Sequence, residues 1–369
     1  MATGRIEEPR AQTMRGDEGR HAGRILRRRL LIAISLTITA LTLILAFALA
    51  IQANAHHSPP WVDWATYSDA FGRLVQGGSV YDPRQLSGPY HLLEMSTGGA
   101  FGYEYPPASL ILFAPFASQP IGLVAWLALN VGLLVSGVYA VLRRELGDDA
   151  VLYLGLAILP VGLWIGFIEG VTSGNITVGV TGILAWAWAL DRERVAPATV
   201  AVLGVAKVFP AILVCWTTPS RLVRSVAAAG LLAGAWALIT LPIVGPGTWV
   251  DFFRAMGNTQ PNCDSYGAST TCVLQPFVGI GLAKLAAIAL AGSLGVGAVF
   301  VRSNLVAFSM VAVAWVVPTY NLSYYSMLPL FVIWVVVFAI GMRRLRSVEI
   351  GPRAAGATGP IDSVRGPIG

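Results

Sequence analysis

Charged residues are scarce: they make up 12% of the 369 positions, against 55% hydrophobic ones. A soluble domain carries about 25% charge, so this chain reads as an integral membrane protein. What charge exists is unevenly placed. Arg20, Arg24, Arg27, Arg28 and Arg29 precede the first apolar run, and Arg343, Arg344 and Arg346 follow the last. That is the positive-inside pattern and predicts two cytoplasmic termini. No basic face is interleaved with exposed aromatics, so the formal charge of +6 does not indicate nucleic acid.

Other absences narrow the function. No glycine fingerprint of a dinucleotide or nucleotide-sugar domain occurs. No internal repeat is visible, which argues against transporters built from mirrored halves. His56, His57 and His91 lack metal-ligand spacing with other candidates; no cofactor is expected, and a divalent metal stays open because the sequence does not decide metal dependence. Of three cysteines, Cys215 is embedded in apolar sequence, whereas Cys263 and Cys272 share a polar, turn-rich loop. Those two form a disulfide if the loop faces an oxidising compartment, and are two free thiols otherwise.

What is present is a series of apolar runs. Residues 31–52 carry no charge, and about 20 residues at 1.5 Å rise span roughly 30 Å of hydrocarbon. "QANA" at 52–55 looks like a signal-peptidase site, but the run before it is longer than a signal h-region, so the first helix is read as uncleaved. Counting crossings from the arginines gives an all-α polytopic protein with roughly nine to ten membrane segments. Its domains are a disordered basic tail over 1–29, a membrane domain over 30–342 and a disordered tail over 343–369. An outer loop spans 53–105, with interfacial helices, and a cysteine loop spans 246–275. Residues 107–142 hold too much apolar chain for one helix and are broken by Pro115 and Pro120, so a half-helix is expected there. Residues 150–168 exit to a turn at 169–175, and 196–218 turn back at "AKVFP". The polar segments then all converge on the outer side.

Asp63, in "PPWVDWATYSDAF", has two readings that can coexist: an N-cap carboxylate, or a general base whose pKa is tuned by Trp61 and Trp64. Asp69 is the reserve base. Lys207 lies in "AVLGVAKVFPAIL", where an ammonium costs about 3 kcal/mol at mid-bilayer and is normally kept for a partner or a pathway. Pro210 breaks the helix and exposes backbone polar groups, which a membrane tolerates only against protein or a water-filled cavity. Lys207 therefore reads as a phosphate ligand, or as a snorkelling or ion-paired side chain. Lys284 lacks such a break and reads as snorkelling. "YEYPP" (103–107), "SGN" (173–175) and "YNLSYYSM" (320–327) offer Tyr103, Tyr105, Asn175, Tyr320, Tyr324 and Tyr325. These are substrate contacts, or else a turn and an aromatic belt.

In order and spacing these segments resemble glycosyltransferase family 87, GT-C-type membrane enzymes that take a sugar from a polyprenyl phosphate. The elements are "VDWATYSDAFGRLVQGGSVYDP" (62–83), "YEYPP" with "APF" after it, "GN" where the family usually has Gly-Gln, and "AKVFP" for its Lys-x-x-Pro. The resemblance runs from the first helix to the last and leaves out the tails. It implies a GT-C-type fold, Asp63 as the catalytic base, Lys207 on the donor phosphate, and Tyr67 among the substrate contacts. It implies inverting transfer of mannose or another hexose to a glycolipid or glycan acceptor, on the extracytoplasmic face of the plasma membrane, for the cell envelope. Mannosyl members often carry Ser-Pro, Trp and His-His near the C-terminus; "VPTYNLSYYSM" has no Trp or His and is closer to the arabinofuranosyl branch. A transporter or flippase of lipid-linked substrates is the competing class, since a lysine at a broken helix suits it too.

Overall fold

The computed structural model describes residues 9–55, 61–91, 102–118, 120–190, 196–261, 263, 269–319 and 324–354. Apart from one pair of two-residue strands, its regular structure is helical. Five stretches are long and apolar enough to cross a bilayer: Gly23–Asn54, Ile121–Leu163, Pro219–Val244, Ile280–Phe300 and Tyr324–Arg346. Three shorter apolar helices accompany them, Thr177–Ala189, Pro197–Ala206 and Asn304–Val316. The sequence pattern suggested nine to ten crossings. The smaller number of long stretches has two causes: several apolar helices are short, and Ile121–Leu163 is two helices joined end to end.

Those two are α5 (Ile121–Leu146) and α6 (Ala150–Leu163), linked by a 3-10 turn at Gly147–Asp149. Helix α1 (Pro9–Asn54) packs along α6, and the Gly155 amide donates to Ser35 Oγ at 2.8 Å. Helix α5 packs against α8 (Thr177–Ala189) with backbone nearly touching backbone. A Cβ on Gly182 would fall 2.3 Å from the Leu133 carbonyl, and one on Gly137 2.3 Å from the Gly182 carbonyl. Small residues permit this approach where lipid supplies no hydrophobic drive between helices.

The chain is helical from Pro9 and again to Ala354, at the end of α15 (Leu328–Ala354), so the boundaries expected at 30 and 342 fall inside helices. Near those boundaries an ion-pair clasp binds α1, the α5–α6 turn and α15. Arg28 meets Asp149 at 3.1 Å, Arg343 meets Glu145 at 2.7 Å, and Arg346 also pairs with Asp149. The two ends of the apolar chain thus lie on one side.

At the opposite end the stretch expected as a single helix over 150–168 is broken. Helix α6 contains Pro160 and stops at Leu163; Trp164 is extended (ψ 132°) and stacks on Phe331. Helix α7 (Ile165–Ser173) follows, so only Gly174 and Asn175 remain of the turn expected at 169–175. Helix α9 (Ala196–Ala206) ends immediately before Lys207 and is continued by a 3-10 segment, Phe209–Cys215, with Pro210 in its first turn. The expected half-helix is α4 (Ser109–Phe113) with the 3-10 turn Ala114–Phe116. The first loop contributes α2 (Val62–Val75), α3 (Pro83–Ser87) and β1 (Tyr90–His91). The cysteine loop contributes α11 (Pro246–Asn258), β2 (Thr259–Gln260) and α12 (Thr270–Val278). Strands β1 and β2 pair in parallel, Tyr90 with Thr259, and join the two loops. Helices α10 (Leu222–Val244), α13 (Ile280–Phe300) and α14 (Asn304–Val316) complete the bundle.

The buried interior has two parts. An aliphatic core fills the bundle, and an aromatic cluster that includes Trp64, Tyr67, Tyr81, Tyr103, Phe113 and Trp126 fills the loop end.

Candidate active site

The site begins with a strained residue. Trp61 caps α2 in the left-handed region (φ 53°), which costs a bulky side chain about 1 to 2 kcal/mol. Asn54, the last residue of α1, holds it there. Its Oδ1 accepts the Trp61 amide at 2.7 Å, while its Nδ2 donates to the carbonyls of Ala50 at 3.0 Å and Thr172 at 2.9 Å. One side chain thereby ties α1, α7 and the start of α2. Among the described residues no side chain caps α2, and Asp63 lies inside its first turn. The N-cap reading of Asp63 is therefore set aside; the carboxylate points at α7–α8, though the helix N-terminus still favours its charge.

Asn175 Nδ2 donates to Asp63 Oδ2 at 2.9 Å and to the Tyr105 hydroxyl at 3.4 Å, and its Oδ1 accepts the Thr177 amide at 2.8 Å. Ser173 adds a second hydrogen bond to Asp63. Gly174 makes this approach possible. It is left-handed (φ 73°), and a Cβ there would lie 2.8 Å from the Trp64 Cβ. Burial pushes the Asp63 carboxyl above its ordinary pKa, opposed by the bonds from Ser173 and Asn175 and by the field of Lys207. A carboxylate raised in this way is a stronger base.

Lys207 also flanks Tyr105. Its Nζ donates to Thr177 Oγ1 at 2.8 Å and lies 5.8 Å from the centroid of the Tyr105 ring. An ammonium has three donors. Among the described residues this one makes that single hydrogen bond and no ion pair within 4.0 Å, although it acts on Asp63 and Glu104 through space. Tyr67 and Tyr105 share a hydroxyl–hydroxyl bond of 3.0 Å, and the Tyr81 hydroxyl pins the Tyr105 carbonyl at 2.7 Å.

Glu104 sits between these tyrosines in the chain and was not singled out by its motif. Burial pushes its carboxyl up to about 7, against hydrogen bonds from Thr259 and Tyr90 and the charge of Lys207. Ser173 opens "SGN" but was not picked as a contact, and Thr177, two residues after it, carried no sequence signal. Glu169, in α7, accepts the Tyr325 amide at 3.1 Å and anchors the 3-10 turn Tyr324–Met327 beside the site.

Below Tyr67, Tyr103 and Tyr105 a cavity of about 220 Å³ runs into the bundle, its wall continued by Phe113, Leu133 and Ile183. A second, of about 250 Å³ and lined by Leu232 and Trp236, shares Leu112 and Val202 with it. Leu112 and Val202 are exposed on the apolar outer surface of the bundle.

Several expected residues do not join this cluster. Asp69, six residues after Asp63, is turned about 120° around α2; it is exposed and paired with Arg73. Tyr103 lines the cavity but spends its hydroxyl on Ser109 and the Pro106 carbonyl. Tyr324 is 53% exposed and Tyr325 is partly buried in the bundle core. Tyr320, His56 and His57 lie outside the described residues. Lys284 is not simply extended toward solvent: its Nζ donates to the Thr259 carbonyl. Cys263 and Cys272 are joined as a disulfide. Among the described residues no group of three or more His, Cys, Asp or Glu could hold a metal ion.

The family model of glycosyltransferase family 87 matches residues 103–349, more than half of the chain. The match takes in Glu104, Tyr105, Asn175 and Lys207 and begins after Asp63. No curated protein and no solved structure matches the chain.

Proposed function

Since the chain belongs to glycosyltransferase family 87, we propose that it transfers a sugar from a polyprenyl-phosphate donor to a glycolipid or glycan acceptor, with inversion, on the extracytoplasmic face of the cell membrane. The observation that carries this reading is Lys207: an ammonium with one hydrogen bond among the described residues, near Tyr105, acting on the Asp63 carboxylate, and next in the chain to Ala206, which lines an apolar cavity. A lipid phosphate needs those two surroundings together, a cation for its head and an apolar channel for its chain.

In this mechanism Asp63 takes the proton of an acceptor hydroxyl as that oxygen attacks the anomeric carbon. The bond from that carbon to the phosphate oxygen breaks, and the electron pair leaves with the phosphate, which passes from one negative charge to two. Lys207 therefore binds the departing group more strongly than the donor and lowers the barrier. Asn175 holds Asp63 in place, and Thr177 holds Lys207. Burial keeps Tyr67 and Tyr105 neutral, so that their hydroxyls serve as hydrogen-bond partners.

A GT-C-type arrangement accords with these features. Taking the Gly147–Asp149 break as a turn at one membrane surface, and the three short apolar helices as crossings, would bring the spans to nine. The arginine clasp on one side and the site on the other support two cytoplasmic termini.

The test is direct. Purified protein in lipid nanodiscs, given polyprenyl-phosphate mannose and other hexose or arabinofuranose donors in turn, should release polyprenyl phosphate and a glycosylated product from at least one of them. Movement of intact donor across a sealed vesicle without cleavage would instead establish a flippase.

A further inference from the structure

Glu104 has surroundings that the donor does not require. Its chain neighbours, Tyr103 and Tyr105, line the apolar cavity; Glu104 does not. Its carboxylate meets the paired strands instead: the Tyr90 hydroxyl donates to it at 3.5 Å, and the nearby Thr259 hydroxyl, which also donates to the Ala255 carbonyl at 3.0 Å, favours its charged form. Those two hydroxyls are themselves 2.7 Å apart. Lys284 reaches the same place from α13, donating to the Thr259 carbonyl and acting on Glu104 by its charge.

This group is held firmly. Gln85 Nε2 donates to the Tyr90 hydroxyl at 2.9 Å and to the Tyr103 carbonyl at 3.1 Å, while its Oε1 accepts the Asp82 amide at 3.0 Å in a capping box on α3. Asn258 Nδ2 donates to the Gln85 carbonyl at 2.8 Å. A carboxylate, a phenol and a threonine hydroxyl are therefore fixed on three separate chain segments, with a lysine beside them.

The charges divide the site. Lys207 faces Asp63 and Glu104 without contacting either, and a phosphate beside Lys207 is repelled by Glu104. A neutral ligand rich in hydroxyls is not repelled: an ionised carboxylate accepts from two adjacent sugar hydroxyls, and Tyr90 and Thr259 both donate and accept. Asp63 acts on Glu104 through space, and Tyr105, next to Glu104 in the chain, shares Asn175 with Asp63. In an inverting displacement the acceptor approaches on the face opposite the leaving phosphate, which puts it away from Lys207.

We propose that Glu104, with Tyr90, Thr259 and Lys284, forms the subsite that binds the acceptor sugar and presents its hydroxyl to Asp63. The subsite rests on the glycosyl-transfer reading above, but its recognition of sugar hydroxyls is separable from donor binding. Glu104 is a specificity-determining residue in this scheme, and Asp63 remains the base.

Two probes separate the subsites. Methyl glycosides of mannose, glucose, galactose and arabinofuranose stand in for the acceptor, and farnesyl phosphate for the lipid phosphate. Binding of each to full-length protein in nanodiscs is followed by saturation-transfer NMR and titration, for wild type, Glu104→Gln, Glu104→Asp and Lys207→Met. At least one glycoside should bind wild type saturably. Glu104→Gln should weaken it roughly ten- to hundredfold, the loss expected for hydrogen bonds to a charged group, with Glu104→Asp between the two. Farnesyl phosphate should follow the reverse pattern, weakened by Lys207→Met and not by Glu104→Gln. Glycoside affinity that is the same in Glu104→Gln and wild type, equally lost in Lys207→Met, or absent from wild type overturns the proposal. If farnesyl phosphate fails to bind wild type while Glu104→Gln still removes glycoside binding, the donor reading falls and the acceptor subsite stands.

Discussion

Replacing Asp63 by Asn isolates the base from every other property of that position. The amide has nearly the same shape, and with its oxygen turned toward Asn175 it retains the 2.9 Å bond now made to Oδ2. It also keeps its place in the first turn of α2, which has no side-chain cap among the described residues. Burial raises the Asp63 pKa despite two hydrogen bonds and a nearby lysine. Removing the charge therefore relieves desolvation, and the variant should unfold at the wild-type temperature or slightly above it. Turnover should behave otherwise, because an amide cannot take the acceptor's proton. The loss of a positioned general base is about two to four orders of magnitude, or about 3 to 5 kcal/mol in the barrier. The assay is release of polyprenyl phosphate from a lipid-phosphate sugar at saturating donor and acceptor, with donor binding measured in parallel. Turnover within tenfold of wild type would refute the reasoning. Asp69→Asn, which breaks only an exposed pair with Arg73, should remain active; collapse there alone would assign the base to Asp69.

Lys207→Met removes the open ammonium and keeps an apolar stem. It should weaken farnesyl phosphate binding and turnover by about a hundredfold, near 3 kcal/mol, and unchanged values would return Lys207 to a snorkelling role. Replacing Tyr324 and Tyr325 together by Phe leaves the Tyr325 amide on Glu169. The change should alter discrimination among donor sugars more than thermal stability, and an identical donor profile would make both residues belt aromatics. Acceptor affinity should rise roughly tenfold between pH 6 and 8, as the Glu104 carboxyl, pushed up to about 7, loses its proton. The groups facing it are Asp63 from α2, Tyr90 from β1, Tyr105, Lys207 beyond α9 and Lys284 from α13, and the same slope in Glu104→Gln would assign the titration to one of them. Reducing the Cys263–Cys272 bond should destabilise the cysteine loop by about 2 to 3 kcal/mol; labelling of both thiols by an impermeant maleimide without reductant would show that the bond does not form.

The sequence disclosed most where chemistry and solvent conflict. An uncharged run of 22 residues or a lysine amid leucines and valines has few explanations in a bilayer, so the helices, Lys207 and the break after it were legible. Asn175 and Tyr105 were legible through short motifs, and the structure brings both to Asp63. Glu104 was not, because an acid in a polar loop is ordinarily a solvated one; its meaning lies in Thr259 and Lys284, 155 and 180 positions away, which no local pattern links to it. Asp69 misled for the converse reason. It shares a motif with Asp63 but not a helix face. Trp164, where the expected helix breaks, shows the same limit, since its extended backbone accompanies a stack on Phe331 that hydropathy does not register.

The parallel pair of Tyr90 with Thr259 joins residues 169 positions apart. A ribosome adding roughly 5 to 20 residues per second takes on the order of ten to thirty seconds to supply the second strand after the first. Once Trp126 is made, early in that interval, Trp64, Tyr67, Tyr81, Tyr103, Phe113 and Trp126 can assemble from nearby sequence, but Glu104 has neither Thr259 nor Lys284. The base and its asparagine are thus made early and the acceptor pocket late. With the proposed roles, a nascent chain arrested before α11 would have its carboxylate and nothing to present to it, and activity would arise only once insertion into the membrane is nearly finished.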